Sequence, residues 1–288
     1  MEFSNFDIDW EYLLERIERF LDLGEEYLTR KLADYQTEPL LFRQNLAFRW
    51  VRSYQTGYFE EVPSPDLPDH ADFVDMEIPL KHLCRNTAQF VNGFPANHIL
   101  ILGQPGNGKR SVIKGLLPKF EDRGLRLIEI RREDLHQLSR IVSELKAHPF
   151  HFILLCSDIT GDMTHANHWE LRNLLQGGIE TRARNVLLCA TGNSKKTGLP
   201  KTANAQGGLE SSFGLTLEIP AMNQTTYLKI CGEIAKRRNL SLPAETLQRK
   251  ALAWAKQRGY YSGLMACQFM DDLTGQWLLK QKLSGCSS

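Results

Sequence analysis

Gly103-Gln104-Pro105-Gly106-Asn107-Gly108-Lys109 is a run whose residue types and spacing suit the wrapping of phosphate, because it fits the first seven positions of G-x-x-x-x-G-K-[ST]. Glycines let the backbone turn tightly enough for successive N–H groups and the N-terminus of a following helix to converge on phosphate oxygens, while Lys109 reaches the terminal phosphates. An incidental glycine-rich turn is the competing reading. The order of apolar run, loop and helical pattern around these residues favours phosphate. The eighth position departs from the pattern: Arg110 stands where a hydroxyl would ligate Mg²⁺, and Ser111 follows one residue later. One step along a helix rotates a side chain by about 100°, so Ser111 is expected to face away from the metal position. Arg110 has two readings. Its guanidinium can take over part of the metal's charge on the β- and γ-phosphates, or it can turn outward to solvent or a surface carboxylate.

The second group expected beside such a loop is a strand ending in acidic residues that hold Mg²⁺ and position water. Phe152-Ile153-Leu154-Leu155-Cys156-Ser157-Asp158 is the candidate, with a hydroxyl at the first acidic position and a carboxylate only at the second. Asp158 reads equally well as a cap for the next helix or turn. These residues need a scaffold. Short apolar runs at His98 to Leu102, Leu125 to Ile130, Phe152 to Cys156, Val186 to Ala190 and Phe213 to Ile219, separated by amphipathic stretches, predict an α/β sandwich around a parallel sheet over residues 76–220. After Pro220, helical patterns at about 224–238, 244–258 and 262–283 predict a helical lid over residues 221–288.

Ahead of the sheet, residues 1–56 read as an N-terminal helical segment. Trp10, Leu13, Leu14, Ile17, Phe20, Leu21, Tyr27, Leu28, Leu32 and Tyr35 recur at helical spacing, and a second helical stretch carries Leu40, Leu41, Leu46, Trp50 and Val51. The first stripe is expected to be the core of a small helical module rather than a partner-binding surface. Gly57, Pro63, Pro65 and Pro68 make residues 57–75 a linker.

Composition bounds the class. A chain of 288 residues with 42% hydrophobic content can bury one sizeable core and smaller helical modules. No apolar run approaches the roughly 20 residues of a membrane-spanning helix, and the acidic start Met1-Glu2-Phe3 lacks the features of a secretory signal. A cytoplasmic protein without a membrane partner is expected. Six scattered cysteines without a C-x-x-C pair point to reduced thiols and no metal site. With a net charge of +1, no global field recruits nucleic acid. Local support is confined to Arg43, Arg49 and Arg52 with Phe48 and Trp50, and to Lys236-Arg237-Arg238; such clusters are usually solvated helix faces, so a nucleic-acid partner is not expected.

Asn86 to Asn97, the phosphate loop, Gly124 to Glu129, Phe152 to Asp158 and Gln268 to Leu273 together resemble a bacterial AAA+ family, domain of unknown function 815, over about residues 45–275. The resemblance implies a five-stranded AAA+ P-loop sheet, a helical lid, binding of an adenine nucleotide (ATP or ADP) through residues 103–111, and possible assembly into rings of like subunits. It also implies that Asn193, after the fourth apolar run, is the polar sensor, so that Asp158 and Asn193 are the candidate catalytic residues. The departures fall on catalytic positions. Arg110 replaces the family's Ser or Thr, Ser157 an acid, Ser212 the arginine finger, and Leu264 the second arginine of the lid's sensor pattern. An arginine finger contributes about 10³ to 10⁵ in phosphoryl-transfer rate, and Mg²⁺ much of the rest. The expectation is therefore a nucleotide-binding protein with weak or no ATPase activity and open Mg²⁺ dependence, forming a homo-oligomer or a mixed oligomer with an active AAA+ relative. Two alternatives stand beside it. One is an active ATPase with a cation from Lys195 or Lys196; the other is a nucleotide-free scaffold or partner of an active relative.

Overall fold

A computed structural model of the protein describes residues 10–36, 39–53, 56–159, 163–177, 181–194 and 209–285. The five apolar runs are strands: β3 (Ile99–Gly103), β4 (Leu125–Ile130), β5 (His151–Cys156), β6 (Val186–Asn193) and β7 (Leu215–Glu218). They lie parallel in the order β4-β5-β6-β3-β7. Every residue of β5 from Phe152 to Cys156 is buried, as expected for a strand covered on both faces. One face carries Ile128, Phe152, Leu154 and Leu188 against α6 (Leu138–Lys146) and α7 (His165–Gln176). The other carries Ile99, Ile101, Ile153 and Leu187 against α3 (Glu77–Val91), α4 (Lys109–Lys114) and α5 (Leu117–Phe120).

The sheet has seven strands, not five. Residues expected to extend the N-terminal helical segment form instead a short helix α2 (Pro39–Gln44) and a hairpin of β1 (Ala47–Ser53) and β2 (Thr56–Glu61), the latter inside the stretch read as linker. β1 adds parallel to β4, pairing Phe48 with Ile128 and Arg49 with Glu129. The spacing of Leu46, Trp50 and Val51 misled because Phe48 and Trp50 are a period-two pair: both point into the same core and Trp50 is fully buried. Trp50 Nε1 donates to Gln137 Oε1 at 2.6 Å. Gly57 makes room for the indole, since a Cβ there would sit 2.2 Å from Trp50 Cζ2.

The rest of the supposed linker ties the sheet to the lid. Asp75, at φ 58°, accepts from Thr226 Oγ1 at 2.5 Å and pairs with Lys229 at 3.0 Å, and Asp72 pairs with Arg237 at 2.6 Å. The lid is three helices, α8 (Gln224–Arg237), α9 (Ala244–Arg258) and α10 (Gly263–Gly285), around a separate core of Tyr227, Cys231, Ala251, Met265 and Phe269. At the other end, α1 (Trp10–Gln36) is the long helix expected, but its stripe is no core: Trp10, Leu14, Phe20, Leu21 and Leu28 are all exposed. No helix among the described residues is long and apolar enough to cross a membrane.

Candidate functional site

β3 ends at Gly103, the chain turns through residues 104–108, and α4 begins at Lys109. Gly106 and Gly108 take φ values of 76° and 84°, the left-handed region that a side chain resists. Gly103 is needed for a different reason: a Cβ there would lie 3.2 Å from Ile219 Cβ. The loop thus folds under Lys109, whose Nζ donates to Gly103 O and Gln104 O, both at 2.9 Å, and to Asn193 Oδ1 at 3.1 Å. Asn193 closes β6, the strand beside β3. Lys109 is 8% exposed. Burial holds its pKa below the ordinary amine value, while the Asp158 carboxylate pulls the other way. Asn107, also buried, donates through Nδ2 to Pro220 O at 3.2 Å.

The lid reaches this loop directly. Leu264 N donates to Gly106 O at 3.0 Å, and a Cβ on Gly106 would lie 3.0 Å from Ser262 Oγ. Between lid and loop opens a cavity of about 490 Å³ lined by Gln104, Pro105, Gly106, Ser194, Tyr260, Ser262 and Leu264. From the segment before α3, Phe73 approaches Gly108 to within 3.6 Å of a Cβ built there. None of Ser262, Phe73 and Gln104 O was singled out for these contacts from the sequence, because each meets the loop through folding of a distant element and carries no motif.

Two strands away, β5 delivers Ser157 and Asp158 to the same edge of the sheet. Asp158 sits at φ 57°, its N–H donating to Thr191 Oγ1 at 3.2 Å. Its side chain caps no helix: α7 is capped by Thr164, which accepts from Asn167 N. Ser157 Oγ is buried and lacks a hydrogen-bond partner. Arg110 points away from the loop. It forms an ion pair with Glu129 on β4, which also faces Arg49 at 3.6 Å, and Arg49 meets Glu60 of β2 at 3.2 Å. The outward reading of Arg110 is the one the geometry carries, because Glu129 offers a carboxylate across the sheet edge. Ser212 accepts from Gln176 Nε2 at 2.9 Å, and Leu264 is 56% exposed. Lys195 and Lys196 lie outside the described residues.

The basic clusters noted in the sequence are neutralised. Arg49 pairs as above and Arg52 faces Asp134 at 3.7 Å. Lys236, Arg237 and Arg238 pair with Glu233, Asp72 and Asp271 at 2.7, 2.6 and 2.5 Å. No group of three or more His, Cys, Asp and Glu residues able to hold a metal is found among the described residues.

Comparison with solved structures finds the same fold in the Aeropyrum pernix Orc1 protein in complex with DNA, with TM-score 0.55 and 17% identity over 76% of this chain and 62% of that one. A Thermotoga maritima RuvB mutant is similar at TM-score 0.52 and 16% identity, over 75% and 68% of the two chains. The Aeropyrum pernix Orc2 protein (ADPNP-ADP complexes) is similar at TM-score 0.52 and 11% identity, over 75% and 68%. At these identities the likeness is one of fold, that of the AAA+ P-loop NTPases, and this chain spans less than two thirds of the Orc1 structure. No curated protein matches the chain. A family model described as "Protein of unknown function (DUF815)" matches residues 43–277, from the start of the hairpin to within α10, and the chain belongs to that AAA+-like family.

Proposed function

We propose that this protein binds an adenine nucleotide at residues 103–109 and hydrolyses it slowly or not at all. The observation that carries the reading is Lys109. Its ammonium is held at the end of β3 by two loop carbonyls and Asn193, beside the N-terminus of α4. Phosphate oxygens can exchange with those acceptors at little reorganisation cost, and backbone N–H groups of the loop supply further donors. The cavity under the lid borders the same loop.

The hydrolytic side is sparser. A Mg²⁺ ion on the phosphates would have Asp158 and the unpaired hydroxyl of Ser157 as protein oxygens nearby, with Ser111 one residue beyond the usual ligand position. One carboxylate fits the ion less well than two, and the ion would supply charge stabilisation of the phosphoryl group. Asn193 is placed to orient a group near the terminal phosphate. The positions that the family fills with arginines hold Ser212 and Leu264, so the transition-state charge lacks its usual cations.

On this reading an oligomer, with itself or with an active relative, would obtain a finger from the neighbour rather than give one. The DNA in the Orc1 structure belongs to that protein; here the arginine clusters already meet carboxylates, which favours no nucleic-acid partner. The test is a titration of labelled ATP and ADP with and without Mg²⁺, coupled to phosphate release. Binding with release near background is expected. Vigorous turnover lost in Lys109→Ala would make the protein an active ATPase, and absence of binding would make it a scaffold.

A further inference from the structure

Two apolar surfaces of this molecule lie outside the family-matched residues 43–277. The first is α1. Leu14, Leu21 and Leu28 repeat at seven-residue spacing, Trp10 and Ile17 alternate with them, and Leu13, Phe20 and Tyr27 widen the stripe along one border. These eight side chains are between 40% and 75% exposed. Gly24 interrupts the seam, with nothing within 4 Å of the Cβ position. Along the opposite border runs a row of glutamates, Glu11, Glu18 and Glu25, again seven residues apart. Residues 10–28 carry six carboxylates against two arginines.

The second surface is the far end of α10. The lid core stops at Leu273, 5% exposed, and beyond it Leu278, Leu279 and Leu283 are 54%, 59% and 63% exposed. Leu279 and Leu283 stand one turn apart, with the exposed Lys280 and Lys282 on either side. Residues 275–285 contain no carboxylate.

We propose that α1 of one copy docks on the C-terminal end of α10 of a second copy, leucine against leucine and the glutamate row against the lysines, joining chains head to tail. The charges select this occupant over the others. Antiparallel pairing of α1 with a second α1 would set the glutamate rows against each other, and parallel pairing would set them against Leu13, Phe20 and Tyr27. An anionic membrane repels the same row. About 16 Å of α10, eleven residues long, meets an α1 surface of about 28 Å. Because the two surfaces differ, the contact is heterologous and propagates into a ring or an open chain. It depends on neither binding nor hydrolysis of nucleotide.

Sedimentation of the full chain over a range of concentrations tests this. Ile17→Asp with Leu21→Asp, and separately Leu279→Asp with Leu283→Asp, should each give a monomer, and an equimolar mixture of the two should give a discrete dimer through the single intact contact. The charge variants Glu18→Lys with Glu25→Lys, and Lys280→Glu with Lys282→Glu, leave the packing in place. Each should weaken association at least tenfold, and their combination in one chain should restore it. Circular dichroism melting verifies that every variant folds, and should an aspartate pair not fold, the charge swap decides alone. A monomer at all concentrations overturns the proposal, as does assembly lost with the α1 variant but kept with the α10 variant, no dimer from the mixture, or no rescue by the charge swap.

Discussion

β3 and β5 reach the same edge of one sheet, separated by β6 alone, yet their ends are finished differently. At the end of β3 the loop is closed on itself: Lys109 has three oxygen partners, two glycines hold left-handed turns, and the lid bonds to Gly106. At the end of β5 a buried hydroxyl has no partner and the one carboxylate stands on a backbone turn of positive φ. A charged group with ready-made acceptors is set to hold an anion. A hydroxyl where a carboxylate would hold a metal offers dipole instead of charge, and the electrostatic term dominates phosphoryl transfer. The comparison teaches that binding and turnover are separable here, since they rest on different strands.

The largest expected effect comes from breaking the better-finished end. Lys109→Ala removes a charge-assisted contact worth about 1.5–3 kcal/mol, so affinity for ATP and ADP should fall by about 10- to 100-fold in a fluorescence titration, with the melting temperature little changed. Affinity within threefold of the parent protein would show that the loop does not hold phosphate through this lysine.

Next is the support beneath it. His98, just ahead of β3, accepts from Leu188 N of β6 through Nδ1 at 2.9 Å and so joins the two strands that carry Lys109 and Asn193. Burial, with a smaller contribution from the Arg182 guanidinium, pushes its pKa from 6.5 to about 3. The unfolded chain therefore binds a proton that the folded one refuses, and stability present above pH 6.5 is lost as pH falls towards 3. Between pH 7 and 5 the loss should be about 2 kcal/mol. Urea unfolding at the two pH values should show it in the parent and less of it in His98→Asn; equal slopes in both would mean that His98 is not the group responsible.

Smaller effects sharpen the β5 end. Asp158→Gly relieves a left-handed conformation while adding freedom to the unfolded chain, two terms of about 1 kcal/mol that nearly cancel. Stability should stay within about 0.5 kcal/mol, whereas any gain in nucleotide affinity on adding Mg²⁺ should vanish. If the Mg²⁺ effect survives, the ion is held by other groups. The smallest effect is expected for Arg110→Ala. Its pairing with Glu129 is surface-exposed and worth about 0–1 kcal/mol, so affinity measured with the metal chelated should change less than threefold. A tenfold drop would return Arg110 to the phosphates.

Much of this was legible from particular residues. The phosphate loop could be read because each of its positions answers a local demand, tight turning at Gly106 and Gly108 and a cation at Lys109, and the five parallel strands because burial on both faces writes itself as unbroken apolar runs such as Phe152 to Cys156. The lid helices followed from their period, close to the observed 224–237, 244–258 and 263–285.

Three things were decided only when distant elements met. Trp50 fits a helical spacing as well as a strand, and the choice fell to β4, whose free edge offered hydrogen bonds, and to Gly57, which cleared space for the indole. Arg110 had two possible partners of opposite chemistry, and the register that places Glu129 beside Arg49 at the sheet edge supplied the carboxylate. The stripe on α1 is the same pattern whether it is a core or an outer surface, because periodicity records which side chains share a face and not what covers that face. Local physics specifies the conformations a segment favours; packing, through burial and charge pairing across the chain, selects among them.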